Sequence, residues 1–169
     1  MKKFNLIVCI FAIVFTSCKE DKLVDVTVLP EQTQTGKGTF GCLVDGNIYV
    51  GGRYADHYNG FEKDHESINF IYSATAKTMN VIVKVKPDDK NDGYIKFTID
   101  SLENNVTSQT CRFTNARFGL HFDDNKGGDL QLDSIGTVKI TRMDYSGKII
   151  SGVFYGKRVT EGRFDVIFK

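Results

Sequence analysis

The chain has 169 residues, 41% of them hydrophobic, with 22 Lys and Arg against 21 Asp and Glu and a formal net charge of +1. Charges of both signs are interspersed, which leaves no electrostatic footprint for nucleic acid or for an anionic membrane surface. The length suits one domain with a sizeable core plus an appendage.

The first segment is the most informative. Lys2 and Lys3 precede an apolar stretch from Phe4 to Phe15, closed by Thr16-Ser17-Cys18. The run is broken by Asn5 and falls short of the roughly 20 apolar residues that span a bilayer. A basic start, a short apolar stretch and small residues make a cleavable signal over 1–17. Its end resembles the lipobox of bacterial lipoproteins, with Phe15 in place of the more usual Leu or Val. The resemblance implies that Cys18 becomes the lipidated first residue of the mature protein, and several acyl chains (palmitate among them) anchor far more durably than one. Lys19-Glu20-Asp21 follows directly and resembles the export signal of Bacteroidetes surface lipoproteins. It implies an outer-membrane lipoprotein facing the exterior; without it, the same anchor would leave the protein on the periplasmic face.

Removing 1–17 takes away two lysines and no acid, so the mature chain stays near neutral. From 18 to 38 the chain is polar, with Pro30 and Glu31-Gln32-Thr33-Gln34-Thr35-Gly36, and reads as a flexible tether. Val24, Val26 and Val28 alternate there and leave open a short edge strand.

Over 39–169 the period is two almost throughout. Phe40, Cys42 and Val44 share a face; Asp45-Gly46 marks a tight turn before Ile48 and Val50. Ile68, Phe70 and Tyr72 alternate next, then Met79, Val81, Val83 and Val85. A polar connection over 87–93 is answered by Ile95, Phe97 and Ile99. Later alternations take in Cys111 and Phe113; Phe118, Leu120 and Phe122; Leu130 and Leu132; Val138 and Ile140; Ile149, Val153 and Tyr155; and Phe164, Val166 and Phe168. Ser151-Gly152 inside a strand suggests a bulge or a close backbone approach. No window beyond the signal has helical periodicity. The expectation is an all-β domain: an antiparallel β-sandwich or a partly closed β-barrel.

With the strands placed, two motifs resemble a family of Bacteroidetes lipoproteins defined without an activity. They are Leu29 to Gly36 with Thr39-Phe40-Gly41-Cys42-Leu43-Val44-Asp45-Gly46, and Ile149 to Phe154 with Glu161-Gly162-Arg163-Phe164-Asp165-Val166. The likeness implies an exported all-β domain. Where relatives carry Trp in the first hairpin this chain has Ile48-Tyr49-Val50, which makes Tyr49 a candidate ligand aromatic.

Cys42 and Cys111 remain in the folded domain. In an oxidising compartment they could close a long loop by a disulfide, worth about 4 kcal/mol in the chain-entropy model. Two buried thiols acting as small hydrophobes fit the sequence as well. The stretch from Tyr49 to Phe61 carries Arg53, Tyr54 and Tyr58 in Gly-rich surroundings, a composition suited to a glycan or protein ligand. Partial burial of the rings is the simpler reading.

Asp56, His57, Asp64, His65 and Glu66 crowd one segment, and two His with carboxylates can hold zinc. No strand spacing forces them onto one face, so no metal or cofactor is expected. Asp123 to Asp129 resembles a calcium loop, but Ser134 occupies the position of its final acid. Nothing matches a nucleophile elbow or a phosphate loop. Asp100-Ser101-Leu102 and Asp133-Ser134-Ile135 resemble the Bacteroidetes O-glycosylation motif, which implies Ser101 and Ser134 as acceptors. The sequence reading is therefore a lipid-anchored, non-catalytic binding or interaction module. A small envelope enzyme or metal protein using His57 and His65 is the alternative.

Overall fold

The computed structural model describes residues 27–51, 68–86, 92–103, 106–121 and 129–169. They form ten strands: β1 (Thr39–Val44), β2 (Asn47–Gly51), β3 (Ile68–Ser73), β4 (Thr78–Lys86), β5 (Asp92–Asp100), β6 (Gln109–His121), β7 (Leu130–Gln131), β8 (Ile135–Asp144), β9 (Ile149–Tyr155) and β10 (Val159–Ile167). None of these residues is helical.

Of the two all-β architectures, the barrel is realised, and it is fully closed. Its eight strands run β2–β1–β10–β9–β8–β6–β5–β4, and the circle shuts where Val50 and Gly51 of β2 pair with Lys86 and Val85 of β4. Closure leaves no free sheet edge around the circle. β7 is an outlying pair with β6. β3 pairs with β4 from Ile68 to Ser73, and its Phe70 and Tyr72 exchange backbone hydrogen bonds with Lys169. Between β4 and the last strand the wall is thus β1 and β2 at one end and β3 at the other.

Eight strands enclose just enough room for side chains. Phe154 sits at the centre, with ring centroids 5.4 Å from Phe40, 5.1 Å from Phe97, 6.3 Å from Phe113 and 6.2 Å from Phe164. Three of these rings lie opposite a glycine on the neighbouring strand: Phe113 and Gly136, Phe154 and Gly162, Phe164 and Gly152. A Cβ on any of those glycines would come within 3 Å of the ring. Small residues facing large ones are how a narrow barrel is filled.

Two strands turn differently from their sequence pattern. In β9 the inward positions are Ile150, Gly152 and Phe154, whereas Ile149, Val153 and Tyr155 face outward. The expected close approach at Ser151-Gly152 is present, since a Cβ on Gly152 would lie 2.6 Å from the Lys139 carbonyl; the register irregularity is across the ladder in β8, between Ile140 and Arg142. In β2, Tyr49 pairs with inward Cys42 and packs on the core, leaving Val50 on the outer face.

Cys42 and Cys111 are both buried and both free, so the disulfide reading is corrected. β1 and β6 stand on opposite walls, with three strands between them in either direction around the circle, too far for the 4.4–6.8 Å Cα separation of a disulfide. Burial pushes both thiols up; nearby Glu103 adds to the effect at Cys111.

Candidate functional site

Among the described residues the inward-facing side chains pack into one cluster, and the outer wall carries the polar features. Its most elaborate feature is built on Asp165. This residue sits between inward Phe164 and Val166, so its side chain faces outward, opposite Ser151 of β9. Even so, Asp165 is only 1% exposed and Ser151 is wholly buried. What covers them is the chain leading into β1.

The Asp165 carboxylate accepts five hydrogen bonds. Thr33 Oγ1 donates at 2.5 Å, the amides of Thr35, Gly36 and Lys37 at 3.0, 2.8 and 3.2 Å, and Ser151 Oγ at 2.7 Å. The Gly38 amide donates to the Asp165 carbonyl. Gly36 and Gly38 have φ of 73° and 71°, a backbone region open to glycine at little penalty, and this turn reverses the chain into β1. On either side the segment is pinned further: Arg163 donates to the Pro30 carbonyl and Arg142 to the Gln34 carbonyl. Pro30 lies over Gly41, and Gly36 over Ile149 and Ile167. Residues 29–38 are therefore a strap bound to the outside of the barrel, so the domain end of the expected 18–38 tether belongs to the fold.

Burial alone would push the Asp165 carboxyl up, but the donors from Thr33, Ser151, Gly36 and Thr35 outweigh it and hold the group at about 2. It is ionised throughout the physiological range. Asp133 plays a similar part at the other end of the barrel, where its buried carboxylate accepts from the amides of Lys157, Arg158 and Val159. Arg158 in turn grips Asp45, tying the β9–β10 turn to the first hairpin. Asp144 is held at about 2 by the Gly147 amide, then by Ser146 and Arg142.

Beside Asp144 lies an open depression of about 460 Å³ lined by Thr107, Arg142, Met143, Asp144, Tyr145 and Ser146. Tyr145 continues into an aromatic group with Tyr72 and Phe168. Its two charged groups pair with each other at 3.0 Å.

Of the residues expected to carry function, the described ones do not share one site. Tyr49 is half-buried, its ring 5.0 Å from that of Phe118, and packs against the core. Arg53, Tyr54, Tyr58, Phe61, His57 and His65 lie outside the described residues, as do Cys18, Lys19, Glu20 and Asp21. Among the described residues no three His, Cys, Asp or Glu side chains gather as metal ligands, and no helix is long and apolar enough to cross a membrane. Ser101 and Ser134 are both exposed. Their motifs differ in setting, because Leu102 is fully buried whereas Ile135 is 53% exposed. Sequence reasoning missed the strap and its acid. The available signal was an aspartate inside the apolar run Phe164-Asp165-Val166, together with a Gly-rich polar segment ahead of the first strand.

No family model, curated protein or solved structure matches the chain.

Proposed function

We propose that the protein is a lipid-anchored envelope lipoprotein displayed on the cell exterior, where the barrel acts as a binding module without catalysis. The observation that carries this reading is the order of the N-terminal signals: Lys2-Lys3, the apolar run, Ser17-Cys18, then Lys19-Glu20-Asp21. The fold supports it in two ways. The strap seats the chain on the outer wall, so an anchor at Cys18 can connect to the domain without threading the core. From Cys18 to Val28 the chain reaches at most about 35 Å, which would hold the barrel close to the membrane. The acids with lowered pKa values also have structural employment, since Asp165 and Asp144 hold backbone amides and hydroxyls rather than standing ready to move a proton.

Protease shaving of intact cells tests the proposal, with wild type compared against a variant carrying Lys19→Ala, Glu20→Ala and Asp21→Ala. Loss of the wild-type domain with protection of the variant is expected. Protection of both would retire external display.

A further inference from the structure

On the outer face of β4, β5 and β6, positive charge gathers. Lys96 stands directly opposite Arg117 in the β5–β6 ladder, and Lys84 of β4 faces Tyr94 of β5 one step along. Like charges opposite one another on a sheet repel, so this pair requires a counter-ion, and it comes from outside the ladder. Asp129, just before β7, places Oδ2 2.5 Å from Lys96 Nζ and 3.7 Å from Arg117 Nη1. The Tyr94 hydroxyl donates to its other carboxylate oxygen. The Tyr94 ring lies flat over its cross-strand partner Gly119, where a Cβ would meet the ring at 2.4 Å. The lysine and arginine side chains are 38% and 45% exposed.

Two cations and a phenol converging on one carboxylate form an anion receptor. The carboxylate they hold precedes the shortest strand: β7 has two residues, both exposed, laddered through Arg117 to Gln131 and Phe118 to Leu130, and the chain beyond is held by Gln131 Nε2 and the Leu132 amide donating to the Ala116 carbonyl and by Arg158 donating to the Gln131 carbonyl. Asp129 itself lies ahead of those bonds and is exposed, and exposed ion pairs contribute only about 0–1 kcal/mol, so its carboxylate can swing away from its partners while β7 stays in place.

We propose that Tyr94, Lys96 and Arg117 bind a carboxylate of an acidic polysaccharide, which takes the place of Asp129. A peptide adding a strand is disfavoured, because β5 is already paired on both sides by β4 and β6 and offers no open edge. A sugar acid needs only side chains and an aromatic face. The site lies across the barrel from the strap, which leaves it clear of an anchored N-terminus. The inference rests on the protein being a binding module, and it names the ligand class.

Titrating the purified full-length protein in detergent with polygalacturonate, neutral dextran and polyglutamate tests it. Polygalacturonate should bind and dextran should not. Lys96→Gln and Arg117→Gln should each weaken binding about two- to five-fold, the scale of an exposed ion pair. Asp129→Asn should tighten it, a sign no merely structural role for Asp129 gives, and Lys139→Gln elsewhere on the wall should change nothing. The proposal falls if neither wild type nor Asp129→Asn binds polygalacturonate, or if Asp129→Asn binds more weakly than wild type. Equal loss in Lys139→Gln would show diffuse charge attraction, and equal binding of polyglutamate would reassign the surface to acidic peptides; either result overturns it. Titration in solution is blind to cellular location, so its failure is distinct from a failure of the shaving assay.

Discussion

Replacing Asp165 with alanine should release the strap while leaving the barrel folded. The carboxylate makes four hydrogen bonds to the strap, through Thr33 Oγ1 and the amides of Thr35, Gly36 and Lys37, and a fifth to Ser151. A hydrogen bond to a charged group contributes about 1.5–3 kcal/mol net. Bonds sharing two oxygens do not add in full, so loss of about 3–5 kcal/mol of docking free energy is expected. That is below the 5–15 kcal/mol typical of a whole domain, and the strap amides can satisfy themselves with water once undocked. Amide hydrogen exchange is the assay. In Asp165→Ala, exchange at Thr35, Gly36 and Lys37 should quicken by roughly 10²–10⁴-fold, at 1.36 kcal/mol per factor of ten. Phe154 and Phe164, in the β9 and β10 ladders, should stay protected. Ser151→Ala keeps all four strap contacts and should loosen the strap far less. Unchanged strap protection in Asp165→Ala would refute the latch, and parallel loss at Phe154 and Phe164 would mean that the carboxylate holds the barrel itself.

Three other outcomes follow from the same geometry. Asp165 lies below its ordinary value of 3.8, at about 2; its contribution is therefore complete above the unfolded value and is lost as pH falls from about 4 towards 2, a window in which exchange at the strap should rise before the barrel melts. With both thiols buried and unpaired, native protein should resist alkylation, denatured protein should take up label at Cys42 and Cys111, and reductant should leave the melting temperature unmoved. Phe154→Ala empties the centre of the ring cluster and should destabilise by about 3–5 kcal/mol, lowering the melting temperature by about 10–15 °C.

Much of the barrel was legible in the residues themselves. Alternation at Met79, Val81, Val83 and Val85 and at Ile95, Phe97 and Ile99 marks strands because side chains in a strand alternate between faces, and these residues are buried. The turn at Asp45-Gly46 was equally plain: both residues have positive φ, 49° and 84°, as a tight hairpin demands. Where the two periods of β9 compete, alternation alone could not say which face is inward. Ile149, Val153 and Tyr155 are apolar yet point out, and glycine at 152 marks the inner face because the Phe164 ring needs its space.

Local sequence thus determined strand type and turn chemistry, both of which depend on residues near one another in the chain. Closure into a barrel, the separation of Cys42 from Cys111 on opposite walls, and the burial of Asp165 beneath residues 33–37 were decided by tertiary structure. Each depends on contacts between segments far apart in sequence; Thr33 and Asp165 are 132 positions apart. An aspartate at an outward strand position is indistinguishable from a solvated one until the segment that covers it has folded back.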